Sequence, residues 1–141
     1  MVDIQLIKFE IHLIVIDMSH KDLFLCSYVF SSDDDGNPVA DIYVGYDASL
    51  NLIIIFELTD YDFSEYNSSC RAVIDKHEAY WLSKRLEVSM SDLPRFISNS
   101  VDESYYEIIN PSVRDTRECF RDLLDCFIVE GCHMRIFRRS A

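Results

Sequence analysis

The sequence predicts an α+β fold, with an antiparallel sheet of four to six strands carrying two or three helices on one face. Three observations predict it. Apolar residues alternate at strand period through the first sixty positions. The links between these runs are short and made of turn-forming residues. Helix-start signals appear only after residue 74.

Taken in order, Ile7, Phe9, Ile11, Leu13 and Val15 share one face of an expected first strand, and Lys8, Glu10 and His12 begin the other. Leu23 to Phe30 is a second apolar run. The Asp-, Gly- and Asn-rich stretch Ser31 to Pro38 follows as a turn, since these residues tolerate the backbone angles a reversal needs. Val39 to Tyr46 makes a third strand. After Asp47-Ala48-Ser49, Leu50 to Leu58 makes a fourth, with Leu50, Leu52, Ile54, Phe56 and Leu58 on one face. Links this short join antiparallel neighbours.

Asp60 to Cys70 breaks the alternation and reads as an exposed loop, with Arg71 to Ile74 as a last short strand. Asp75 and Glu78 have capping-box spacing for a helix to about Leu86, with Ala79, Leu82 and Leu86 on one side. A second short helix runs from Ser89 or Ser91 to Ser98, with Pro94 in its first turn. Ser112 and Asp115 open a longer helix to Glu130, whose stripe is Val113, Phe120, Leu123, Leu124 and Phe127, and Gly131 stands at the left-handed cap position. Cys132 to Phe137 alternates once more as a final strand. The expected core comprises Ile7, Phe9, Ile11, Leu13, Leu52, Ile54, Phe56, Leu82, Phe120, Leu123, Leu124 and Phe127.

A length of 141 residues suits one domain, 1–141, with a core of its own. No window approaches the roughly 20 apolar residues of a membrane span, and the N-terminal run has no signal-peptide pattern. The expected address is the cytosol. Five cysteines at irregular spacing read as reduced thiols packed as small apolar groups. The net charge of −12 is lopsided: residues 1–70 hold 13 Asp/Glu against 2 Lys, for −11, whereas residues 71–141 hold 12 against 11, for −1. Such a field disfavours nucleic acid and anionic membranes as partners and favours a cationic protein.

No catalytic constellation emerges, so an enzyme is not expected. Three glycines leave no nucleotide loop. Cys126, Cys132 and His133 lack the paired spacing of a zinc site, and Asp33-Asp34-Asp35-Gly36-Asn37 lacks the ligand order of a calcium loop. No metal or other cofactor is expected. Cys70, followed by Arg71 and with His77 downstream, is the one thiol with a setting that could activate it, against the plainer reading of a strand-edge cysteine. Arg135, Arg138 and Arg139 are expected to pair with nearby carboxylates rather than bind phosphate.

What remains is Asp60-Tyr61-Asp62-Phe63-Ser64-Glu65-Tyr66. Its carboxylates can accept from Arg and Lys, and its tyrosines offer rigid contact area, so Asp60, Tyr61, Asp62, Glu65 and Tyr66 form the candidate partner-binding set. The alternative is that Tyr61, Phe63 and Tyr66 anchor the loop to the core while the acids face water. Asp102 to Glu107 has the same character.

The stretches Glu78 to Pro94, and Asp122-Leu123-Leu124-Asp125 through to Arg135-Ile136-Phe137, together with the size, acidity and meander-then-helices order, resemble the small acidic immunity proteins of bacterial polymorphic and contact-dependent toxin systems. That resemblance implies a cognate toxin as partner, often a cationic nuclease, bound one-to-one at or near its active site. A second reading is an acidic adaptor or anti-defence protein that imitates nucleic acid within a larger complex. A soluble enzyme is a third.

Overall fold

The computed structural model describes residues 19–140. The expected strand at Ile7 to Val15, with core candidates Ile7, Phe9, Ile11 and Leu13, lies outside them. Five strands form one antiparallel sheet in chain order: β1 (Phe24–Ser31), β2 (Val39–Tyr46), β3 (Leu52–Thr59), β4 (Ser68–Ile74) and β5 (Arg135–Ser140). Between β4 and β5 come helices α1 (Lys76–Arg85), α2 (Leu93–Ser98) and α3 (Val113–Val129). The α+β class, with strands and helices in the expected numbers, is the observed one.

The period-2 pattern sorts the sheet into two faces. Ala40, Ile42, Val44 and Tyr46 of β2 share the helix face with Leu52, Ile54 and Phe56 of β3 and with Ala72 and Ile74 of β4. Ala79, Leu82, Leu93, Ile97, Cys119, Phe120, Leu123 and Phe127 close that core from the helix side. Leu124, expected in the core, is only half-buried, because it sits at the flank of the α3 stripe rather than at its centre. A Phe120→Ala change would remove a ring that packs 5.7 Å from Phe56, at about 3–5 kcal/mol by analogy with other core truncations.

The opposite face is not plain solvent surface. Leu23, Ile53, Ile55 and Val73 are buried there, with Tyr43 and Phe137 against them, and Arg71 is buried on the same face. This explains why Ile53 to Ile55 reads as an unbroken apolar run: both faces of β3 are covered. Leu25 has φ 51° in a bulge of β1, and the register with β2 shifts there. The bulge presses on Gly45, where a Cβ would meet the Phe24 carbonyl oxygen at 2.9 Å, so only glycine fits.

α2 begins at Leu93, later than the expected Ser89 or Ser91, with Pro94 in its first turn as expected. The other two helices follow their end signals with one exception. Ser112 and Asp115 make the reciprocal capping box of α3, and Gly131 takes φ +83° after its last turn. Asp75 caps α1 by accepting from His77 N–H at 2.9 Å, but Glu78 does not complete a box. Its carboxylate instead accepts from the His133 backbone and lies 2.8 Å from His133 Nδ1, joining α1 to the segment after α3.

Several strand boundaries differ from expectation. β4 begins at Ser68, inside the expected loop, because Ser68 and Ser69 are paired on both sides, to Leu58 and Glu57 and to Ser140 and Arg139. β5 starts three residues later than expected, since Cys132 N–H is taken by the Phe127 carbonyl in the helix cap. Leu50, expected to open β3, sits at φ 66° in the turn before it.

Candidate functional site

In a meander, alternate hairpin loops fall at the same end of the sheet. The β1–β2 loop with Asp33, Asp34 and Asp35 therefore lies beside the β3–β4 loop with Asp60, Asp62 and Glu65. Asn37, whose peptide bond to Pro38 is cis, joins them. Its side-chain nitrogen donates to Asp60 Oδ1 at 3.1 Å and to Asp62 Oδ2 at 3.0 Å, and its side-chain oxygen accepts from Tyr61 N–H at 3.0 Å. Asp60 Oδ1 also accepts from the N–H groups of Phe63 at 2.9 Å and Asp62 at 3.0 Å, while Asp60 N–H donates to Asn67 Oδ1 at 2.7 Å. The Phe63 N–H first, then the Asn37 amide and the Asp62 N–H, hold the Asp60 carboxyl below the usual carboxylate range.

The loop is thus anchored by polar groups, and its aromatics point outward. Tyr61 is 73%, Phe63 54% and Tyr66 65% exposed, with the rings of Phe63 and Tyr66 edge to face at 5.8 Å. This reverses the alternative in which the aromatics anchor the loop. It also separates the five candidate residues. Asp60 and Asp62 are occupied in holding the loop together, while Tyr61, Glu65 and Tyr66 have exposed side chains. In Asp102 to Glu107, by contrast, the Tyr105 hydroxyl donates to Asp122, tying that segment back to α3.

Beside the loop, on the second face of the sheet, is a depression of about 530 Å³ lined by Tyr61, Ser64 and Asn67 of the loop and by His20, Tyr43 and Glu57. A polar row crosses all five strands here: Ser31, Asp41, Glu57, Ser69 and Arg139 are consecutive partners. The Ser31 hydroxyl donates to Asp41. Glu57 accepts from the His20 backbone at 2.7 Å and lies 2.6 Å from His20 Nδ1. A carboxylate can only accept, so Nδ1 carries the hydrogen and Nε2 is the ring's remaining nitrogen. The imidazole stacks on Tyr43, centroids 3.9 Å apart and planes within 6°. Burial, then the charges of Asp41 and Glu57, push the Tyr43 hydroxyl upward.

Sequence reasoning missed this cluster. Its members lie 37 residues apart, and Glu57 reads as the outward residue of an apolar strand. Residue 57 at the polar end of a β-branched run, and a histidine just before the first apolar strand, were the only signals.

Among the described residues the cysteine candidate gains no base. Cys70 stands between Phe56 and Arg138 on the helix face, away from His20, and no hydrogen bond joins it to His77 among the described residues. Cys119 is pushed up to about 12 by burial and by Asp122, so it is a packing thiol. The five cysteines are free thiols. Among the described residues no group of three or more His, Cys, Asp and Glu converges to hold a metal ion, and no helix is long and apolar enough to cross a membrane. Gly36 N–H donates to Asp34 Oδ1 at 3.0 Å, an ordinary Asx turn. Arg138 forms no ion pair among the described residues, contrary to expectation, and Arg135 lies 6.0 Å from the Phe137 ring.

Comparison with known proteins finds no matching family model, no matching curated protein and no matching solved structure.

Proposed function

We propose that this chain is a stoichiometric inhibitor of the immunity type, which captures a cationic, nuclease-like toxin by laying the acidic end of its sheet over the toxin's active site. One observation carries the reading. Asn37 holds two acidic loops side by side, so six carboxylates and three exposed aromatic rings share one end of the sheet. The sequence has no Lys or Arg between Lys21 and Arg71. Exposed aromatics supply the contact area that sets residence time, and the carboxylates supply the field that steers a basic partner.

The test is affinity capture from the source cell with the full chain, followed by association kinetics on the captured protein. Charge reversal belongs at Asp33, Asp35 and Glu65, whose side chains take no part in hydrogen bonds among the described residues; at Asp60 it would also unlatch the loop. Their reversal should lower the on-rate about tenfold or more at low salt, and Tyr61→Ala or Tyr66→Ala should raise the off-rate. Capture of a nucleic-acid-processing assembly instead of one small basic protein would favour nucleic-acid mimicry. Substitutions that change only stability would make the loop mere scaffold.

A further inference from the structure

The half of the chain that holds most of its Lys and Arg contributes most of a second site, of opposite sign. Helices α2 and α3 sit over β1 and β2. The β4–β5 flank of the helix face is left as a trough of about 400 Å³ between α3 and β5, within the usual size of small-ligand sites. Phe56, Phe120 and Leu124 form its apolar side, and Ile136, 43% exposed, faces them from β5. Arg117 and Arg121, one turn apart on α3, stand on one wall, and Arg138 stands on the other. The Arg117 guanidinium lies 5.5 Å from the Phe56 ring centroid, spread over the apolar floor.

The charge of this trough is not a sampling accident of an acidic chain. Four of the nine arginines line it, counting Arg139, and among the described residues no Asp or Glu does. Nor is there a shortage of carboxylates on α3. Arg114, a turn earlier, pairs with Glu118 at 3.4 Å, yet Arg117, Arg121 and Arg138 form no ion pair among the described residues.

We propose that the trough binds a small amphipathic anion: a carboxylate on a medium-length aliphatic body, held by Arg117, Arg121 and Arg138 with the body on Phe120, Leu124 and Ile136. The apolar side rejects a fully hydrated ion, and the guanidiniums favour the charged over the neutral amphiphile. The site is separate from the acidic loop and independent of the inhibitor reading.

The test is a titration of the full chain, methyl-labelled at Ile and Leu, with sodium octanoate, followed by NMR. Saturable shifts of the Ile136 and Leu124 methyls are expected. Octanol should bind at least about tenfold more weakly, and acetate or inorganic phosphate should leave these methyls unmoved. The triple variant R117Q/R121Q/R138Q should keep the fold and lose about tenfold or more in octanoate affinity. Should it fail to fold, R138Q alone must weaken octanoate against octanol. No saturable shift with octanoate, equal binding of octanol, shifts with phosphate alone, or arginine variants that bind octanoate like the parent would each overturn the proposal.

Discussion

Asn37 and Asp60, 23 positions apart, hold the acidic end of the sheet together: the Asn37 amide nitrogen donates to Asp60 Oδ1 at 3.1 Å, and the neighbouring Asp62 takes its second hydrogen at 3.0 Å. Without these donors, two loops of like charge would repel. Asn37→Ala should therefore destabilise the loop, since it removes the donors of both exposed charge-assisted hydrogen bonds. Asn37→Asp should cost more, because it swaps two donors for a third carboxylate. Chemical denaturation measures the cost, and faster amide exchange at Tyr61 and Phe63 would place it in this loop.

Acid should loosen the same loop. The Asp60 carboxyl is held below its ordinary value, chiefly by the Phe63 N–H, so its carboxylate form is favoured by the folded loop. That contribution is fully present above the unfolded value of about 3.9 and is lost as pH falls through the lower folded value. A carboxyl-carbon NMR titration should place the Asp60 midpoint below about 3.9. In Asp60→Asn the Phe63 amide resonance should stop following pH through this window. A midpoint at or above the ordinary value would show that the loop does not use the charge.

The Tyr46 hydroxyl donates to the Met90 carbonyl at 2.6 Å from a side chain 2% exposed. Tyr46→Phe keeps the ring and strands that carbonyl, so it should destabilise by about 0.5–1.5 kcal/mol without altering the sheet. Burial pushes the hydroxyl up to about 12, so the neutral form is the one the fold favours. Stability should accordingly fall as pH rises from about 10, the unfolded tyrosine value, toward about 12, and the fall should be shallower in Tyr46→Phe. Alkaline denaturation of the two proteins checks this.

Local rules made much of the fold legible. The alternation of Val39 to Tyr46, the Ser112–Asp115 box and Gly131 each depend on a few adjacent residues. What escaped depended on partners far along the chain. Ser68 and Ser69 become strand because β3 and β5 flank them, and no property of two serines announces that. Glu78 has capping-box spacing, yet His133, 55 residues away, takes it. The acidic loop was visible as composition, but its direction was not. Only the hydrogen bonds of Asn37 and Asp60 show that Asp60 and Asp62 hold the loop while Glu65 and the rings stay exposed. The arginine trough was invisible for the same reason, because α3 and β5 meet through the third dimension.

Glu57 fastens the beginning of the described chain to the sheet. It accepts from the backbone N–H of His20 at 2.7 Å and binds the ring at 2.6 Å, and the imidazole then lies flat on Tyr43 at 3.9 Å. Two substitutions separate the hydrogen bonds from the stack. His20→Phe retains an aromatic ring for Tyr43 and the backbone bond, so it should cost little, about 1 kcal/mol or less. Glu57→Ala removes both acceptors and should cost about 1–3 kcal/mol, concentrated in residues 19–23. Trypsin provides the readout, since Lys21 is exposed and the next basic residue is Arg71, buried in β4. Native Glu57→Ala should be cut after Lys21 faster than the parent, and His20→Phe should resist like the parent. Equal cutting of all three proteins would mean that the 3-10 turn at His20–Asp22 is held by something other than Glu57, and the polar row across the sheet would lose its structural role.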